Sequence, residues 1–151
     1  AEELNQHLRA NGLHMIFLAA PTTDAARLPR VLEHASGFLY YVAVKGVTGT
    51  KSADMGQASA AVSGFRAATD MPIGVGFGIR TPEQAAEVAA FADAAVVGSA
   101  IVDIIADGLN DEGVPNTGLS VRVLDFVKAL SDGVRGARSG GVMQTAGGDG
   151  S

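Results

Sequence analysis

No cysteine occurs in the 151 residues, which excludes disulfides and thiolate-held metals and is compatible with a reducing, cytoplasmic setting. Tryptophan is also absent and aromatics are sparse; alanine and glycine take their place, a composition that goes with helices packed closely on a sheet. Basic runs are missing, and the net charge is −5. A nucleic-acid partner would need a concentrated basic surface, so that class is not expected. No apolar run approaches the roughly 20 residues needed to cross a bilayer, so no membrane partner is expected. The opening Ala1–Asn11 is polar and charged, and does not read as a signal peptide. His7, His14 and His34 lack metal-ligand spacing, so no metal is expected, and no nucleophile–base arrangement is visible.

What is present reads as globular. Hydrophobic residues make up 47% of the chain and charged residues 18%, enough for one domain with a sizeable core. The pattern along the chain is a helix followed by four repeats of an apolar run and a helix. Leu4 and Leu8 give residues 2–10 a helical stripe, closed by Asn11-Gly12. The apolar runs are 13–20, 38–44, 71–75 and 94–97, starting roughly 20–35 residues apart, long enough for right-handed crossovers. Helical stretches are expected at 25–34, 53–68, after Pro82, at 101–107 and at 121–130. Thr22-Thr23-Asp24 offers helix caps. Thr81-Pro82-Glu83-Gln84 is a strong helix start: a threonine cap, proline first, then acidic and amide side chains. Residues 133–151 are rich in glycine and serine and are expected to form a flexible tail, leaving 1–132 as the folded domain.

The apolar runs do not alternate, which marks a parallel sheet buried on both faces. Four such units fit either a small doubly wound sheet or half of a (β/α)₈ barrel, and periodicity does not separate them. Each of the last three runs ends in glycines: Gly46-Val47-Thr48-Gly49, Gly76-Phe77-Gly78 and Gly98-Ser99. Glycine lets a ligand approach backbone N–H groups, and a helix beginning after Gly98-Ser99 would direct its positive end there. That suits a phosphate. The plain alternative is that these are turn residues. Gly74-Val75-Gly76-Phe77-Gly78 lacks the spacing of a dinucleotide loop.

These segments, in order, resemble the tryptophan synthase alpha family. The segments that carry the likeness are Phe17-Leu18-Ala19-Ala20-Pro21-Thr22-Thr23, Phe38-Leu39-Tyr40-Tyr41-Val42 with Gly46-Val47-Thr48-Gly49, Gly74–Ile79 with Thr81-Pro82-Glu83-Gln84, and Ala95–Val102. The resemblance covers nearly all of residues 1–130. It implies the α/β fold of parallel (β/α) units of a TIM barrel, strands 5–8 only, a half-barrel. It also implies the cofactor-free retro-aldol cleavage of indole-3-glycerol phosphate to indole and glyceraldehyde 3-phosphate in tryptophan biosynthesis.

By that resemblance Gly49, Gly78, Gly98 and Ser99 hold the substrate phosphate, and Leu18 and Phe77 line the indole pocket. Tyr40 stands near the reacting centre, and Thr48 sits in a closing loop that positions a catalytic carboxylate; these two are the candidate catalytic residues. On the residues alone, Tyr40 reads equally as core, Leu18 and Phe77 as core, and Thr48 and Ser99 as helix caps. Tyr40 and Tyr41 are adjacent on one strand and must face opposite sides. Ala43 stands where the family usually has a small hydroxyl residue, and Lys45 is an uncommon choice before the loop glycine. The family's acid/base Glu and Asp lie in the first half of its barrel, so the 151 residues alone are expected to be inactive. The family's partner is a beta subunit that receives indole. The alternative is a non-catalytic half-barrel that binds phosphosugars or self-associates through open sheet edges.

Overall fold

The computed structural model describes residues 2–23, 26–43 and 51–142. It divides into two compact units, Ala1–Phe77 with Phe91–Ala94, and Gly78–Ala90 with Ala95–Ser151.

The first unit runs α1 (Glu2–Ala10), β1 (Phe17–Ala19), α2 (Leu28–His34), β2 (Leu39–Val42), α3 (Lys51–Arg66) and β3 (Ile73–Gly76). Helix α1 ends at Asn11-Gly12 as its sequence dictates: Gly12 takes φ 69°, and the Leu13 N–H donates to the Leu8 carbonyl at 2.9 Å. Strands β1 and β2 pair in parallel, as do β2 and β3, with Leu18 opposite Tyr40 and Tyr40 opposite Gly74. A fourth strand, β4 (Ala94–Val96), completes the sheet in the order β1-β2-β3-β4. Asp93 anchors the approach to it. Its N–H donates to the Ile73 carbonyl at 3.0 Å, its carboxylate accepts from the Ile73 N–H at 2.8 Å, and Arg66 pairs with the same oxygen at 3.1 Å.

The two faces of β1–β3 differ. Ala19, Leu39, Tyr41, Ile73 and Val75 are buried on one side. There Tyr41 meets Phe65 of α3 edge-on, ring centres 5.5 Å apart, and burial pushes its phenol pKa up. Each large aliphatic side chain buried here contributes about 1.5–3 kcal/mol. On the other side Leu18 is 62% exposed, and Tyr40 and Val42 are only half-buried. Apolar runs without alternation led to the expectation of burial on both faces. The described residues cover one face and leave apolar side chains standing on the other.

Thr23 is also not the cap expected for the following helix. Its hydroxyl accepts from the Ala20 N–H at 3.0 Å, and its own N–H returns to the Ala20 carbonyl at 2.8 Å, so it closes a turn at the exit of β1. Helix α2 is entered from Arg27, which gives no side-chain cap; Asp24 lies outside the described residues.

The second unit holds α4 (Pro82–Ala89), α5 (Ser99–Ala106) and α6 (Leu119–Val142). Thr81 caps α4 as its sequence predicts, accepting from the Gln84 N–H at 3.3 Å with Pro82 in the first position. Helix α6 continues past Leu130 to Val142, so residues 133–142, expected as tail, are helical. Two contacts of α6 lie at this point. Gly133 is where the Pro82 carbonyl comes against α6, leaving no room for a Cβ. Asp132 pairs with Lys128 at 2.7 Å and with Arg135 at 4.0 Å along the helix surface. Residues 143–151 lie outside the described residues.

Candidate functional site

Tyr40 stands on the open face of β2. Its ring lies against β3 at Gly76: a Cβ built there would sit 2.6 Å from the Tyr40 Oη and 3.0 Å from Cε2. The glycine is needed for that close approach, since its φ is not positive. Leu18 shares this face through the β1–β2 register. Phe77, at the end of β3, is 7% exposed and belongs to the core of the first unit. Leu18, by contrast, is not a core residue. An open cavity of about 520 Å³ lies elsewhere in this unit, lined by Phe17, Ala26, Arg27, Arg30 and Val31, and none of the sequence-predicted site residues borders it. Thr48 and Gly49 lie outside the described residues, as does Lys45.

In the second unit the two expected phosphate turns are both at the surface. Gly78 is exposed with φ 58°, a conformation that glycine adopts without strain. The following Ile79 is 2% exposed and anchors the turn. Gly98 is the N-cap of α5 and Ser99 its first residue, both exposed. The Gly98 carbonyl accepts from the N–H groups of Ile101 and Val102 at 2.9 and 3.1 Å, and no side chain caps this end. The first N–H groups of a helix have no partner within it, and this exposed end carries the positive end of the helix dipole. Ser99 is therefore inside the helix and is not its cap.

Residues 1–131 match the family described as tryptophan synthase alpha chain. The chain belongs to the tryptophan synthase alpha chain family. The tryptophan synthase alpha chain of Acidiphilium cryptum (strain JF-5) is 51% identical over 138 residues, covering 91% of this chain and 50% of the relative. That of Gluconacetobacter diazotrophicus is 51% identical over 129 residues, 85% of this chain and 47% of the relative. Among solved structures, tryptophan synthase subunit alpha from Legionella pneumophila str. Paris is 30% identical with a TM-score of 0.71, over 90% of this chain and 48% of that one. A tryptophan synthase from M. tuberculosis, in an open form with BRD0059 bound, is 31% identical with a TM-score of 0.71, over 89% of this chain and 46% of that one. The chain thus spans about half the length of the curated relatives it matches.

One polar link close to Gly78 has no counterpart in any local sequence pattern. Arg80, two residues past Gly78, forms an ion pair with Asp103 of α5 at 2.7 Å. The partners are 23 residues apart, and no helical or strand period links them. Among the described residues, no group of three or more His, Cys, Asp or Glu side chains is arranged to hold a metal. No described helix is long and apolar enough to cross a membrane.

Proposed function

We propose that this chain supplies the phosphate and indole contacts of a tryptophan synthase alpha-type lyase, which cleaves indole-3-glycerol phosphate to indole and glyceraldehyde 3-phosphate in the cytoplasm. In this reading the chain is the strand 5–8 half of a (β/α)₈ barrel. Backbone N–H groups at Gly49, Gly78, Gly98 and Ser99 take the phosphate, as the exposed, uncapped start of α5 is suited to do. Leu18 and Phe77 flank the indole, Tyr40 stands near the reacting carbon, and Thr48 acts in the loop that closes on substrate and excludes water. The acid/base carboxylates that protonate the ring and take the hydroxyl proton come from the other half of the barrel. Indole would then pass to a beta subunit.

The observation that carries this reading is the family match over residues 1–131, which contains every residue assigned a role. The test is complementation. The 151-residue chain is expected to release no indole from indole-3-glycerol phosphate by itself. Refolded with the half of the Acidiphilium cryptum protein that it does not match, it is expected to release indole. Turnover by the chain alone, or none from a folded mixture, would refute the assignment.

A second reading is favoured by the apolar open face. Leu18 stands 62% exposed beside half-buried Tyr40 and Val42, and contiguous apolar surface of this kind marks an association site. Self-association through that face and through β1, the end strand of the sheet among the described residues, predicts a dimer in sedimentation velocity. A monomer throughout the micromolar range contradicts it.

A further inference from the structure

The turn that follows β3 is fastened twice at Arg80. The Arg80 N–H donates to Gln84 Oε1 at 2.7 Å, and the Gln84 N–H donates to Thr81 Oγ1 at 3.3 Å. The backbone at Arg80 is thereby tied into the first turn of α4, with Ile79 buried just before it. The Arg80 guanidinium reaches the other way and donates to Asp103 Oδ2 on α5 at 2.7 Å. Gly78 lies two residues before Arg80. Asp103 lies four residues after Ser99, one turn along the same helix face. One ion pair therefore connects the Gly78 turn to the second turn of α5, one turn along from Ser99, although the two come from successive β/α repeats.

We infer that Arg80 and Asp103 are positioning residues that hold the Gly78 turn in register with the Gly98-Ser99 end of α5, a role that rests on the phosphate reading above. Both side chains are about half exposed, and exposed pairs add little to global stability. Their effect lies in narrowing the relative positions of two turns whose N–H groups must meet one phosphoryl group together. Charge sharpens the distinction. Asp103 close to a bound dianion would repel it, and Arg80 neutralises that carboxylate. Loss of Asp103 therefore loosens the turns but relieves repulsion, whereas loss of Arg80 loosens them and exposes the repulsion.

The experiment compares ¹⁵N-labelled chain with Arg80→Ala, Asp103→Ala and the swapped Arg80→Asp/Asp103→Arg double variant. Without ligand, Arg80→Ala is expected to move the amide resonances of Gly98 and Ser99, and Asp103→Ala those of Gly78, with both returning in the swap. Perturbations confined to each substitution's own turn would overturn the inference. Inorganic phosphate is then titrated into the same samples. Both single variants are expected to bind more weakly, Arg80→Ala about two- to fivefold and Asp103→Ala by less, with recovery in the swap. Weaker binding in Arg80→Ala but tighter binding in Asp103→Ala would show charge acting alone and would overturn positioning. If phosphate moves no amide in the unsubstituted chain, the phosphate reading fails, and the ligand-free spectra still decide whether the two turns are coupled.

Discussion

Alanine at position 76 would drive a methyl group into Tyr40. The new Cβ would stand 2.6 Å from Oη, 3.0 Å from Cε2 and 3.2 Å from Cζ, well inside the roughly 3.5–4.0 Å at which carbon atoms attract. Gly76 does not have a positive φ, so the backbone itself tolerates alanine and the whole penalty comes from the ring. Tyr40 is half-buried on the open face and can swing away. The cost therefore falls low in the overpacking range, about 1–2 kcal/mol, or about 3–6 °C in Tm for a chain of this size. Urea unfolding of the unsubstituted chain, Gly76→Ala, Tyr40→Ala and the double variant isolates the contact. With Tyr40 truncated, Gly76→Ala is expected to be neutral or to stabilise by about 0.4–1 kcal/mol, because alanine restricts the unfolded chain. An equal penalty in both backgrounds would show that Tyr40 is not what Gly76 accommodates.

Other substitutions test the frame around the site. Gly133→Ala sets a Cβ against the Pro82 carbonyl and is expected to cost about 1–3 kcal/mol in thermal or urea unfolding, whereas Gly136→Ala, which meets no neighbour, should be neutral or stabilising. Thr81→Ala removes the α4 cap and should cost about 1 kcal/mol. Glu83 supplies the pH dependence: bonds from the Thr81 side chain and from its own N–H hold its carboxyl below the ordinary value. Its folded pKa is thus lower than its unfolded one, so its contribution is present above the unfolded value and is lost as pH falls through the folded value. Carbon-detected NMR titration should show Glu83 moving back toward its ordinary pKa in Thr81→Ala. An unchanged midpoint contradicts the bond from the Thr81 side chain to Glu83.

Much of this was legible because its signals are local. Thr81-Pro82-Glu83-Gln84 carries a cap, a first-position proline and an amide within one turn, and α4 begins there. Asn11-Gly12 ends α1 in the same self-contained way. The adjacency of Tyr40 and Tyr41 forces them to opposite faces, and Tyr41 is the one buried against Phe65. What could not be read depends on partners distant in sequence. Gly133 resembles a helix breaker until the Pro82 carbonyl is seen against it. Thr23 resembles a helix cap until its bonds to Ala20 are known. Leu18 belongs to a run that looks buried on both sides, yet nothing in 13–20 tells that the described residues leave it 62% exposed. The Arg80–Asp103 pair spans two repeats, beyond the reach of any local pattern.

The proposed grip on phosphate through backbone N–H groups is tested most directly at Ser99. Proline at the first position of a helix removes an N–H that has no helical partner, so Ser99→Pro deletes one donor; Gly98, at ψ −76°, must turn toward the extended conformation that precedes proline, and circular dichroism checks that α5 persists. Calorimetric titration with glycerol 3-phosphate is expected to show binding weakened about tenfold or more, the worth of one hydrogen bond to a charged group. Ser99→Ala, which keeps the N–H, should bind nearly as well as the unsubstituted chain. Undiminished affinity in Ser99→Pro, with helix content unchanged by circular dichroism, would contradict the account.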